Sequence, residues 1–322
     1  MRRMLFLVVG LLLLSPLAHA QEGSISIGLA EAPTNRADDP RAKVYIVDHV
    51  KPGTTISRRV KVTNSTDATQ SIETYAAAAS VRNGEFRFGD GRAVNELTTW
   101  TKVETPADAY APGEEKLLAV TIKVPDNASE GERYAVIWAS VASAESGNAI
   151  SAVNRVGVRV YLSVGPGGEP PSDFEITGMR AKRTAAGDPL IAATVKNTGG
   201  RALDLSGTLQ LSDGPGGLSA GPFQVKVGTT LGVGQSGPVE VTLDKALPAG
   251  PWEAKLELES GLTKRDASAT VTFPKSGAGP TVKPGGGDDG GVGSLGLIAA
   301  GVVVVGAAAT ALFLGLRRRG VA

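Results

Sequence analysis

Val156-Gly157-Val158-Arg159-Val160-Tyr161-Leu162-Ser163-Val164 is the stretch on which the fold turns. Successive side chains of a β-strand point to opposite faces. Val156, Val158, Val160, Leu162 and Val164 therefore line one side, while Gly157, Arg159, Tyr161 and Ser163 line the other. The same period of two recurs at Leu118, Val120, Ile122 and Val124, alternating with Ala119, Thr121 and Lys123. It appears again at Trp252, Ala254, Leu256 and Leu258, whose neighbours Glu253, Lys255, Glu257 and Glu259 suit water. One dry and one wet face describe antiparallel sheets packed in pairs, not a parallel sheet covered by helices. Strand candidates punctuated by Gly, Pro, Asn and Asp extend the pattern, so the fold class is all-β and the architecture a β-sandwich.

Two sandwiches are expected. Ile56-Ser57-Arg58-Arg59-Val60-Lys61-Val62-Thr63-Asn64 closes in an Asn turn, and Ile191-Ala192-Ala193-Thr194-Val195-Lys196-Asn197-Thr198-Gly199 repeats the idea. Later in each unit a Val124-Pro125-Asp126-Asn127 or Leu247-Pro248-Ala249-Gly250 turn leads to an aromatic residue, Tyr134 or Trp252, and a strand. Ordered self-similarity of this kind suits tandem immunoglobulin-like modules. Gly165-Pro166-Gly167-Gly168-Glu169-Pro170-Pro171 breaks the pattern between them, placing the domains at 23–164 and 172–273. Lys275 to Gly291 is rich in Gly and Pro and reads as a disordered tether, spanning about 23 Å on average and about 60 Å at full stretch.

The ends of the chain carry hydrophobic segments of different kinds. Arg2-Arg3, an apolar run from Met4 to Leu14 and Ala18-His19-Ala20 read as a secretory signal peptide over residues 1–20. Leu295 to Leu316 is uncharged and, as a helix, reaches about 33 Å against a bilayer core of about 30 Å. Arg317-Arg318-Arg319 follow in a basic tail, 317–322, that stays in the cytoplasm. The expectation is a single-pass type I protein of the plasma membrane, its N-terminal region outside the cell.

Composition narrows the chemistry. Of 322 residues none is cysteine and two are histidine, which removes disulfides, thiol nucleophiles and thiolate metal sites. With His19 in the signal, only His49 remains for the exported part, against a Ser-His-Asp hydrolase or a multi-histidine zinc site. A formal net charge of +1 gives no field that would favour nucleic acid. No phosphate loop, Gly-x-Ser-x-Gly elbow or Ser-x-x-Lys set is present, so neither a cofactor nor an enzyme is expected. The acidic pairs Asp38-Asp39 and Asp288-Asp289 lack the spacing of a calcium loop.

The order Tyr45-Ile46-Val47, Pro52-Gly53, Val60-x-Val62-x-Asn64, Tyr75-Ala76-Ala77, Gly84-x-Phe86, Trp100 and Val124-Pro125 with Gly131 resembles the N-terminal peptidoglycan-binding domain of WxL-interacting proteins. The likeness covers about Ile25 to Val164. It implies a cell-surface protein that binds peptidoglycan or an associated cell-wall polymer through the first sandwich. The alternative is a structural scaffold or adhesin that pairs with another surface protein, since exposed sheet edges accept added strands.

Sugars stack on aromatic rings, which makes Tyr75, Phe86, Phe88, Trp100, Tyr110 and Trp138 the rings to weigh. Trp138 lies in Ala135-Val136-Ile137-Trp138-Ala139, apolar on both faces, and reads as core. Phe86 and Phe88 share one face of a hairpin between Gly84 and Gly89-Asp90-Gly91, whose tip is expected to be exposed. For these two and Trp100 a core place and a ligand place both stay open, and Tyr75 joins them as a candidate. Arg59 and Lys61 share a strand face and suit either an anionic polymer or water. Tyr134, soon after the turn at Gly131, is placed to tie its hydroxyl to nearby backbone.

Overall fold

A computed structural model describes residues 24–106, 109–142, 153–225 and 228–286. The signal peptide, the membrane helix, the basic tail and residues 287–291 of the expected tether lie outside the described residues. Among the described residues no helix is long and apolar enough to cross a membrane.

The first sandwich is built from β1 (Ile25–Leu29), β2 (Ile46–Val50), β3 (Thr55–Asn64), β4 (Glu73–Arg82), β5 (Glu85–Phe88), the short helix α1 (Glu96–Trp100), β6 (Thr101–Val103), β7 (Glu115–Lys123), β8 (Gly131–Ala142) and β9 (Val153–Val164). One sheet has the order β1-β3-β7-β6 and the other β2-β9-β8-β4-β5. Only the β2–β9 pair is parallel among the described strands, from Ile46 opposite Val160 to Val50 opposite Val164. Apart from β2, this is the ABED sheet packed on a GFC sheet with an added C′ strand, the immunoglobulin-like arrangement. The alternating residues do what their period requires. Val60, Val62, Val120, Ile122, Val160 and Leu162 are enclosed between the sheets, each burial worth about 1.5–3 kcal/mol.

The second sandwich follows with β10 (Phe174–Arg183), β11 (Pro189–Asn197), β12 (Leu203–Asp204), β13 (Ser206–Ser212), β14 (Ala220–Gln224), β15 (Thr230–Leu231), β16 (Ser236–Thr242), β17 (Gly250–Ser260), β18 (Thr263–Phe273) and β19 (Gly285–Gly286). Its sheets run β10-β11-β16 and β14-β13-β17-β18-β19, with β12 and β15 paired beside them. Trp252, Ala254, Leu256 and Leu258 enter this core, while the indole N–H of Trp252 donates to the Pro248 carbonyl at 3.3 Å. The Leu-Pro-Ala-Gly turn thus supplies the acceptor that lets a tryptophan be buried.

The repeated Asn turn is the same device twice. Asn64 Nδ2 donates to the carbonyls of Ala68, Tyr110 and Ala111 at 2.8, 3.0 and 3.1 Å, and its Oδ1 accepts the Thr66 N–H. Asn197 Nδ2 donates to Arg201, Leu231 and Gly232 at 2.8, 3.0 and 3.1 Å, and its Oδ1 accepts the Gly199 N–H. Each amide ends a central strand by tying its own turn to a later segment, in both cases from a buried position.

Two expectations change here. The stretch from Lys275 does not leave the domain as a tether at once. Val282 exchanges both backbone bonds with Met179, Gly279 donates to Ala181, and Gly285–Gly286 add the short strand β19 to β18. Backbone groups need no side chains to pair, so the scarcity of apolar residues does not prevent it. The Phe86 hairpin tip is not free either. Gly84 carbonyl accepts the Thr230 N–H at 2.8 Å and Glu85 bridges Thr229, so the tip adds to the β12–β15 pair of the second sandwich.

Candidate functional site

The sheet β2-β9-β8-β4-β5 turns an aromatic face away from its core. Cross-strand register sets the rows. Tyr75, Trp138 and Gly157 form one, and Ala77, Val136 and Arg159 the next. Phe88, Ala79, Tyr134, Tyr161 and Val47 follow, the Ala79 to Tyr134 step being set by the β4–β8 alignment. Alternation forces this: while Ala135, Ile137 and Ala139 face the core, Tyr134, Val136 and Trp138 must face outward.

One part of the face is the joint between the sandwiches. Val47, Val81, Phe86, Tyr161 and Ala202 form a buried cluster with Tyr45, Ala79 and Tyr134 against it. Rings pack edge-on, with Phe86 6.1 Å from Tyr134 and Tyr134 5.8 Å from Tyr161. Asp204, brought by β12, is the polar centre. It accepts from Arg41 Nε at 3.0 Å, Arg159 Nη1 at 3.2 Å, the Tyr161 hydroxyl at 2.8 Å and the Thr230 hydroxyl at 2.7 Å. Glu132 accepts the Tyr134 hydroxyl and the Ala202 N–H, both at 2.7 Å, so one carboxylate grips both sandwiches. Burial raises the Glu132 carboxyl above its usual range, against the lowering effect of these two donors. Burial likewise pushes the Tyr161 and Tyr134 hydroxyls up, the negative charge of Asp204 adding to the first and that of Glu132 to the second. Both stay protonated as donors.

The other part remains uncovered by the second sandwich. Trp138 lies over Gly157, where a Cβ would come within 2.7 Å of the indole and of Val136. Phe88 packs edge-on to Trp138 with centroids 5.0 Å apart and is 44% exposed. Arginines sit on the remaining faces: Arg155 is 4.4 Å above Trp138 and Arg92 is 4.0 Å above Tyr75. The Trp138 indole N–H finds no hydrogen-bond partner among the described residues.

The expected site residues separate. Tyr75 and Phe88 share the open part of the face, whereas Phe86 is enclosed in the joint. Trp100 ends α1 and packs partly on the first core, with Arg133 4.9 Å above its ring. Tyr110 is wholly core, where burial pushes its hydroxyl up to about 12. Arg59 and Lys61 project from the opposite sheet, and each already pairs with a carboxylate, Glu31 at 3.0 Å and Glu115 at 3.0 Å. Both carboxyls are held below their usual range, chiefly by those bonds. Trp138, read as core, is buried, in a small cluster of its own with Ala77 and Val136 on the outer side of the sheet, under Arg155 and beside Phe88. Tyr134 ties its hydroxyl to the Glu132 side chain rather than to backbone. Gly157, a glycine inside a strand pattern, was the signal for the close approach of the indole.

His49 Nδ1 lies 3.2 Å from the Ser163 hydroxyl, but Ser163 is buried and no carboxylate meets the other ring nitrogen among the described residues. The described residues also hold no group of three or more His, Cys, Asp or Glu side chains placed for a metal ion.

No family model matches this sequence, and no curated protein matches it. Among solved structures, the Escherichia coli chaperone DraB is similar at 13% identity and TM-score 0.39, over 78% of this chain and 98% of that one. A complex of the Salmonella enterica SafA pilin with the SafB chaperone is similar at 10% identity and TM-score 0.38, over 78% and 95%. The CsuC–CsuE chaperone–tip adhesion subunit complex of Acinetobacter baumannii gives 11% identity and TM-score 0.36, over 71% and 96%. Likeness at these scores carries no argument, so the function rests on the chain's own geometry.

Proposed function

We propose that this chain is a non-catalytic binding protein of the cell surface whose first sandwich presents its outer aromatic face to another surface protein. What supports the reading is the state of the rings. Tyr75 and Trp138 already carry guanidinium groups on their faces, while Phe88 stands beside them in solvent. Arginine on aromatic rings around an exposed phenylalanine is the composition of a protein-binding centre. The joint supports it too, because Asp204 and Glu132 fix the second sandwich against the same sheet. Peptidoglycan recognition is the second reading, favoured by the adjacency of Tyr75, Trp138 and Phe88. It requires Arg92 and Arg155 to swing off the rings before a sugar can stack.

A photo-crosslinking side chain at position 88 on intact cells should capture one discrete protein, and the same group at position 61 should not. Equal labelling from both positions sinks the protein reading. Co-sedimentation of the protein with insoluble peptidoglycan, lost in Phe88→Ala, would select the second.

A further inference from the structure

We propose that the paired edges of β10 and β18 form a second interaction surface, and that Gly277–Gly286 is a cover which an extended segment of a partner protein displaces. This surface is independent of the aromatic face of the first sandwich.

Apart from this cover, β10 and β18 are end strands of their sheets, ten and eleven residues long. Uncovered end strands offer rows of N–H and C=O groups to other chains. The cover holds them thinly. Arg183 N–H donates to Gly277 at 2.7 Å, Gly279 to Ala181 at 2.9 Å, and Val282 and Met179 exchange bonds at 2.8 and 2.9 Å. It then crosses to β18, where Gly285 and Gly286 pair with Ser268 and Ala267. By contrast, β17 pairs with β18 without interruption from Gly250 opposite Phe273 to Ser260 opposite Thr263. Of the ten covering residues four are glycine and two are proline, and Val282 is the one that packs an apolar side chain on the core. Glycine loses the most freedom on ordering, and Pro280 and Pro284 have no N–H to give. Long strands are thus closed by a segment that local preference does not hold there.

The seat also states what it accepts. At Gly279 a Cβ would lie 2.6 Å from the Thr272 carbonyl and 3.2 Å from that of Ala181, because the backbone threads between the two sheets. Three residues on, Val282 fills the core contact. The occupant is therefore an extended segment antiparallel to β10, with glycine three residues before an aliphatic residue. Strand-forming residues in place of the two prolines would hold it better than the native cover.

Hydrogen exchange on the full-length protein in detergent tests the cover directly. The Met179 and Arg183 amides, which donate to it, should exchange at least ~100-fold faster than those of Val195 in β11, through local opening. The second test uses a labelled synthetic peptide of residues 275–286 carrying Pro280→Thr and Pro284→Val. It should bind the protein, and bind at least ~10-fold more weakly when Lys182→Cys and Ala278→Cys, cross-strand partners in a chain without cysteine, are oxidised to lock the cover. Reduction should restore binding, and Gly279→Ala in the peptide should abolish it. Exchange at Met179 and Arg183 as slow as at Val195, or binding indifferent to the lock, overturns the proposal. So does a dimer that trades covers between copies, seen by native mass spectrometry. None of these results depends on position 88, so the proposal and the aromatic-face reading fail separately.

Discussion

Asn64 and Asn197 do the same work in two sandwiches whose outer surfaces are used differently. Each amide closes a central strand with three donated bonds and an accepted backbone N–H, to which Asn64 adds the Thr66 hydroxyl. Around them, the first sandwich turns rings and arginines outward on one sheet and covers one part of that face with its neighbour. The second turns Glu253, Lys255, Glu257 and Glu259 outward on β17 and seals an edge with its own chain. The inside of each domain is set by a shared device. What distinguishes them is where they leave surface for something else, and in the first sandwich that choice is tied to the joint.

Removing the centre of the joint should break the comparison most severely. Asp204→Ala takes the acceptor from Arg41, Arg159, Tyr161 and Thr230 together and leaves the enclosed Arg41 charge without its carboxylate. Losing one partner of a buried charge pair costs about 3–5 kcal/mol. The sandwiches should then stop melting as one body, so calorimetry should resolve two transitions where the parent shows one. A single transition at the parent's temperature would mean that Asp204 does not couple the domains.

The two asparagines come next and sharpen the comparison. Asn64→Ala and Asn197→Ala each remove three bonds donated by a buried amide, a loss of about 2–3 kcal/mol at about 1 kcal/mol per bond. Denaturant titration should give nearly equal losses. In the Asp204→Ala background each should lower only the transition of its own sandwich. Unequal losses would show that the matching bonds conceal different roles.

How far the sequence reaches is visible in the same residues. Val60, Val62 and Asn64, or Val195 and Asn197, carry their burial in a period of two, because one dry face suffices to fix a strand's register. The joint left no such mark. Arg41 and Asp204 are 163 residues apart, and neither has a neighbour that announces the other. Phe86 alternates with Glu85 and Arg87 like any strand residue, and only the docking of the second sandwich decides that it is enclosed. The run around Trp138 was readable as buried but not as divided between two layers, since apolar on both faces describes a core strand equally well. The cover over β10 and β18 escaped for the opposite reason: backbone bonds hold it, and composition says little about those.

The smallest expected effect separates the joint from the asparagine turns by pH. Glu132 is the acidic grip of the joint, and burial raises its carboxyl above the ordinary 4.5. An acid that holds its proton more tightly when folded favours the fold below its unfolded pKa. That advantage is lost as pH rises through the window from about 4.5 to the raised value. Glu132→Gln keeps an oxygen for the Tyr134 hydroxyl and the Ala202 N–H but has nothing to titrate. Relative to this variant, the parent should therefore lose stability as pH climbs out of the acid range, by less than either asparagine substitution costs. Asp48, also raised by burial, is present in both proteins and cancels from the difference. Asn64→Ala compared with its parent should show no such slope, because an amide does not titrate. A difference between parent and Glu132→Gln that stays flat from acid to neutral pH would show that the carboxylate is better solvated in the joint than its enclosure implies.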